Sequence, residues 1–197
     1  MQARPFRSFV WLGAVVVLAG CPAGSQNLTK KLILSADTSD AQLEKLVKGQ
    51  TELQVLDLRL SKVTDAGLAH VAALANLKWL DLDGIGVTDP ALEHLESLSS
   101  LEKLVLSNTA VTDAGLVHLR GLVNLESLDL NGTAVTDAGL AHLAPLSKLR
   151  ALSLIDNAVT DAGLDHLAGL PSLGLLALLG TEVSDAGIAS LKQALPD

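Results

Sequence analysis

Leucine returns along this chain in a fixed frame. The pattern Leu-x-x-Leu-x-Leu starts at Leu53, Leu77, Leu101, Leu125, Leu149 and Leu173, a constant step of 24 residues. Within it, alternation marks a strand: Leu56 and Leu58 point one way, and Val55, Asp57 and Arg59 the other. A loop then ends in an apolar residue, Val63 in this repeat, and Thr64-Asp65-Ala66-Gly67-Leu68-Ala69-His70-Val71 follows. Leu68, Val71 and Leu74 are three apart, which predicts a short helix with one buried stripe. Strand, helix and strand at a constant period give parallel strands joined by right-handed crossovers, because one unit cannot bury its apolar face alone.

The segment 28–52 reads as a degenerate copy of this unit. Leu32 and Leu34 lie 24 residues before Leu56 and Leu58, and Ser39-Asp40-Ala41-Gln42-Leu43 parallels Thr64-Asp65-Ala66-Gly67-Leu68 with one loop residue missing. End units are atypical because one side faces water, so 28–52 is expected to cap the six regular units of 53–197. The other end has no such polar cover: Leu175, Ala177 and Leu179 are outward on the last strand.

The repeated aspartates Asp65, Asp89, Asp113, Asp137, Asp161 and Asp185 are expected to be helix caps. Thr88-Asp89-Pro90 supports this, since proline prefers the first helical position and a carboxylate just before it accepts free N–H groups. Gly67, Gly115, Gly139, Gly163 and Gly187 fall toward the inner side of the helix, where smallness lets the helix approach the sheet. Ser61, Ile85, Thr109, Thr133, Asn157 and Thr181 share one loop position. A hydroxyl or amide there bonds the loop backbone. Ile85 cannot, so its loop is expected to be irregular.

This leucine frame resembles the leucine-rich repeat family over residues 28–197. The Thr-Asp-Ala-Gly-Leu-x-His-Leu form is similar to repeat proteins of planctomycete-type bacteria and to the repeat half of F-box substrate receptors. No F-box helices precede the repeats, so the ubiquitin-ligase role is not carried over. The resemblance implies an α/β solenoid, with a parallel sheet on the concave face and short helices on the convex face. It also implies a protein-binding scaffold.

The N-terminus adds a second resemblance. Arg4 and Arg7 precede the apolar run 9–18, and Leu18-Ala19-Gly20-Cys21 follows. A basic start and an apolar stretch of about 7–15 residues describe a secretory signal, too short for the roughly 20 residues of a membrane span. The tetrad resembles the lipobox of bacterial lipoproteins. That resemblance implies cleavage after residue 20, acylation of Cys21 and a tether over 21–27. Three acyl chains would hold the protein firmly at a membrane. Pro22, in place of an aspartate of the kind that retains some lipoproteins at the inner membrane, points to the outer one.

Charge and aromatic content narrow the partner class. Loss of residues 1–20 removes two arginines and no acid, so a net charge of −8 becomes −10. That argues against nucleic acid, which needs a basic stripe. Beyond the leader, which holds Phe6, Phe9 and Trp11, Trp79 is the sole aromatic residue. Stacking platforms for sugars or single strands are therefore missing.

The five histidines, His70, His94, His118, His142 and His166, share one repeat position on the helix flank. One imidazole per repeat does not converge as a metal site requires, so the column is expected to pack between helices. Asp57 and Asp81 should be neighbours, close to the ~5–5.5 Å of a retaining glycosidase pair. Any two adjacent strands give that spacing, however, and no pocket or stacking aromatic accompanies it. The chain is therefore read as no enzyme, with no cofactor and no metal. Binding is expected on the outward strand positions Val55, Asp57, Arg59, Trp79, Asp81, Asp83, Val105, Asp129 and Asn131. Trp79 and Arg59 are expected to serve as anchors, Arg59 is expected beside Asp83, and Asp57 and Asp81 are expected either to face a basic group of a protein partner or to form an ordinary solvated acidic patch. The rival reading is a structural envelope protein that stacks through its uncapped C-terminal end.

Overall fold

The computed structural model describes residues 14–15 and 30–195. The lipobox cysteine Cys21, the tether and all of the leader except Ala14 and Val15 lie outside them. One sheet runs through the molecule in strict chain order. Its strands are β1 (Ala14–Val15), β2 (Lys30–Leu34), β3 (Leu53–Asp57), β4 (Trp79–Asp81), β5 (Lys103–Val105), β6 (Ser127–Asp129), β7 (Ala151–Ser153) and β8 (Leu175–Ala177). From β2 to β8 all pairings are parallel, and β1 adds antiparallel to β2. The register repeats the sequence frame: Leu56 pairs with Leu80, Leu80 with Leu104, Leu104 with Leu128 and Leu128 with Leu152. Each of these leucines is buried at 1% exposure or less.

Helical segments close the other side: α1 (Asp40–Val47), α2 (Asp65–Leu68), α3 (Asp89–Glu93), α4 (Asp137–Leu140), α5 (Asp161–Leu167) and α6 (Asp185–Ala194), with a 3-10 turn at Gly115–Leu119 in place of an α-helix. Leucines from both layers form one continuous core.

The aspartate column does not cap its own helices. The residues before α1 to α6 are Ser39, Thr64, Thr88, Thr136, Thr160 and Ser184, and Asp40, Asp65, Asp89, Asp137, Asp161 and Asp185 are the first helical residues; Asp113 precedes the 3-10 turn. Their carboxylates reach instead into the next repeat. Asp65 accepts the Thr88 backbone N–H and hydroxyl, and Asp89, Asp113 and Asp137 do the same with Thr112, Thr136 and Thr160. Asp161 holds Ser184, and Asp40 holds Thr64. The N···O distances are 2.7–2.8 Å throughout. A charged acceptor satisfies two donors at once, which is the stronger class of hydrogen bond. The side-chain and backbone bonds of Ser184 hold the Asp161 carboxyl below its usual range.

These bridges also explain the glycines. A Cβ at Gly115 would lie 2.5 Å from Asp89 Oδ1, and Gly67, Gly139, Gly163 and Gly187 face the preceding carboxylate in the same way. A small residue here clears space for the incoming aspartate, and Ala91 serves as well as glycine beside the Asp65–Thr88 bridge. Among the described residues no aspartate bonds Ser39, the first residue of this series, and Gln42 stands there instead. Its Oε1 accepts the Ser39 N–H at 2.9 Å, closing the first unit on itself.

The Ile85 loop is regular, contrary to expectation. Its backbone turn, Ile85 N–H to Leu82 C=O at 3.4 Å, matches Ser61 to Leu58, and the side chain is buried at 3% exposure. Thr109, Thr133 and Thr181 donate their hydroxyls to the turn carbonyls.

Because the aspartates act between repeats, position decides their worth. Asp113→Ala should cost about 2 kcal/mol, from charged hydrogen bonds of ~1.5–3 kcal/mol. Asp185→Ala should leave stability within experimental error, since no repeat in the structure follows it. Urea unfolding of the two variants checks this; equal losses would restore the capping role.

Candidate functional site

The outward sheet face carries three parallel rows, one residue per strand. In the first row Lys31 pairs with Val55, Val55 with Trp79, and Trp79 with Lys103. Lys31 crosses the intervening strand to place Nζ 5.4 Å from the Trp79 ring centre, and Lys103 comes from the other side to 4.6 Å. Both are within the range of cation–π attraction. The indole is partly exposed between two ammonium groups, and its Nε1 is buried without a hydrogen-bond partner. Both lysines occupy outward positions of the frame, and sequence reasoning did not single them out. The signal was their common register with Trp79 in the 24-residue frame.

The second row holds Asp57, Asp81, Val105 and Asp129. Asp57 and Asp81 are in register on adjacent strands, as the frame predicts. They are not open to a partner: each is only 5% exposed, and Val55 and Val105 are buried as well. The residue that answers the like-charged pair comes from this chain. Arg59 does not extend toward Asp83; it folds back over the second row, with Nε and Nη2 at 3.0 and 2.8 Å from the two Asp57 oxygens and Nε 3.4 Å from Asp81 Oδ2. The planar fork matches a carboxylate, so a bidentate contact to Asp57 prevails over the row neighbour.

These aspartates also finish their own strands. Asp57 Oδ1 accepts the Arg59 N–H, Asp81 Oδ1 the Asp83 N–H and Asp129 Oδ1 the Asn131 N–H, each two residues on. In the third row, Asp83 takes the Asn108 amide and Asn131 Oδ1 accepts from Ser153 and Ile155. Among the described residues, the cations that no carboxylate engages on this face are Lys31 and Lys103.

Burial raises the pKa of Asp57, but the hydrogen bonds and charge of Arg59, with Lys31 behind, outweigh it and hold the carboxyl below its usual range. Burial dominates at Asp81, and the Asp57 charge adds to it, so Asp81 is pushed up despite the Asp83 N–H and Arg59.

The remaining candidates stay apart. Among the described residues no three of His, Cys, Asp and Glu come together as metal ligands. His118 Nδ1 meets Glu96 Oε1 at 2.6 Å on the helical side. Two surface grooves, of about 330 and 280 Å³, lie between α5 and α6 and along Lys78, Glu102, Glu126 and Lys148; no outward strand residue lines either.

Arg59→Ala strands two buried carboxylates and should lower stability by about 1–2 kcal/mol at neutral pH, solvent screening of the half-exposed arginine included. Asp81→Asn in that background should recover most of the loss, because the amide still accepts the Asp83 N–H and the repulsion is gone. The two acids also have opposite pH signs. Asp57 contributes stability that fades as pH falls through its lowered pKa. Ionisation of Asp81 removes stability as pH rises from the ordinary carboxylate value through its raised one, and Asp81→Asn should abolish that second trend. Denaturant unfolding across pH reads both; a further loss on adding Asp81→Asn would contradict the clamp.

A leucine-rich repeat family profile matches residues 97–119 and 122–144. Among solved structures, the chain is similar to an internalin (inlF) from Listeria monocytogenes, with 25% identity and a TM-score of 0.64, over 77% of this chain and 42% of that one. It is also similar to internalin C2 (inlC2) of the same organism, with 26% identity and a TM-score of 0.57, over 84% and 77% of the two chains. The chain thus spans less than half the length of the first. No curated protein sequence matches it. With seven parallel strands, short helices and these likenesses, the fold is an α/β leucine-rich repeat solenoid, an architecture that generally serves protein–protein binding.

Proposed function

We propose that this protein is a lipid-anchored, extracytoplasmic scaffold that holds a protein partner on the outward sheet face around Trp79 and performs no chemistry of its own. The observation that carries the reading is the indole framed by Lys31 and Lys103. Tryptophan concentrates binding energy where it is flanked by groups that exclude water. This one is the single aromatic residue in the described chain, and it lies on the face such folds use. Arg59 already covers Asp57 and Asp81, so the contact chemistry shifts from the basic partner group expected above. An apolar surface against the indole, with a carboxylate reaching the two ammonium groups, complements the row. The anchor rests on Leu18-Ala19-Gly20-Cys21 behind the apolar run.

A photo-reactive residue at position 79, introduced in the native cell, should crosslink to one defined protein. The adduct should be lost in Lys103→Glu and absent when the probe is at Val117, exposed on the helical side. In the same cells Cys21→Ser should release the protein from the membrane fraction. Equal adducts from both positions, or none at position 79, would refute the binding face; retention of Cys21→Ser at the membrane would refute the anchor.

A further inference from the structure

The C-terminal end of the array is unlike the rest of the molecule. Strand β8 is the sheet edge. The Leu175 N–H and the Ala177 and Leu179 carbonyls point to β7, bonded to Arg150, Leu154 and Asp156. Parallel pairing sends both backbone groups of a residue to one side, so Leu176 and Leu178 carry the groups on the open edge. The Leu178 carbonyl is taken by Thr181, whose hydroxyl is 2.7 Å away. What remains along the edge is the N–H and C=O of Leu176 and the N–H of Leu178. Above them, Leu175 and Leu179 are 59% and 77% exposed. Beneath them the core lies open, with Leu176, Leu178 and Val183 only partly buried. An apolar, unpaired edge is a template for another strand.

We infer that this edge pairs with the same edge of a second copy, antiparallel, about a two-fold axis through Ala177. In that register each Leu178 N–H donates to the Leu176 C=O of the other copy, two bonds across the axis, while the Leu178 carbonyl opposite each Leu176 N–H keeps its own Thr181 donors. Leu175 then lies opposite Leu179 of the other copy, so these two exposed leucines of each copy cover one another. The small Ala177 side chains meet at the axis, where cross-strand Cβ atoms are ~4.5–5.5 Å apart. An isologous contact of this kind closes at two copies.

The two ends do not fit each other. Every internal joint has an aspartate gripping the N–H and hydroxyl of the next repeat, and Asp185 would ask the same of its neighbour. At the N-terminal end those donors belong to Ser39, and Gln42 Oε1 already accepts both, at 2.9 and 3.2 Å. A head-to-tail stack therefore lacks the bridge that joins the repeats. In the two-fold arrangement the sheets continue across the axis and both outward faces look the same way.

Sedimentation of the protein in detergent, across micromolar concentrations, should give twice the mass of one copy once bound detergent is subtracted. Leu175→Asp/Leu179→Asp should sediment as one chain with its circular dichroism unchanged. In case that variant misfolds, Ala177→Cys in a Cys21→Ser background should form an intermolecular disulfide under mild oxidation, while Ser153→Cys, one strand further in, should not. A single-chain mass at every concentration, assemblies that grow beyond two, or equal crosslinking at positions 153 and 177 would each overturn the two-fold contact.

Discussion

The joint between successive repeats is the interaction on which this structure depends. A solenoid repeat has no core of its own, and its stability comes from the interface with its neighbours. Leucine burial supplies most of that interface but is tolerant of sliding. The aspartate of one repeat, bonded to both the backbone N–H and the hydroxyl of the next Thr or Ser, is directional and fixes the stacking step. A small residue in the following helix, Gly in five repeats and Ala91 in one, leaves room for that reach, and Gln42 takes the place of an aspartate in the first described unit. Three columns of the repeat, Thr, Asp and Gly, are thus a single device spread over two repeats.

A rigid step in turn sets the outward face. Strands held in register bring Asp57 beside Asp81 and stretch the first row from Lys31 to Lys103. The face then settles its own electrostatics. Arg59 is drawn over the acidic pair, and the acids close their own strand ends. Trp79 stays partly exposed between the ammonium groups of Lys31 and Lys103.

The sequence makes the strands and the core legible because inward positions obey a period that burial enforces. It makes the aspartate column visible but misassigns its partner. A cap can be inferred within one helix, whereas the real acceptor–donor pair is 23 residues apart and needs two repeats in view. The proline after Asp89 pointed one residue too late, since Thr88 is the cap and Pro90 lies inside the first turn. Strand register likewise fixed the Asp57–Asp81 pairing but not the path of Arg59, because a long side chain chooses its partner by geometry rather than by row. The left-handed loop position holds Gly84, Gly132 and Gly180 in alternate repeats, and Leu60, Asn108 and Asp156 adopt the same positive φ between them. Glycine in every second repeat at one position signals a backbone requirement that the other repeats meet at some strain.

The central claim, that aspartate bridges fix the repeat step, is most directly tested by amide hydrogen exchange at Thr64, Thr88, Thr112, Thr136, Thr160 and Ser184. If the bridges hold the array together, these N–H groups exchange as slowly as the strand amides beside them. Replacing Asp113 with Asn should then selectively accelerate Thr136. If these amides exchange at unprotected loop rates while the strands stay protected, the leucine core alone sets the stacking, and the account is wrong.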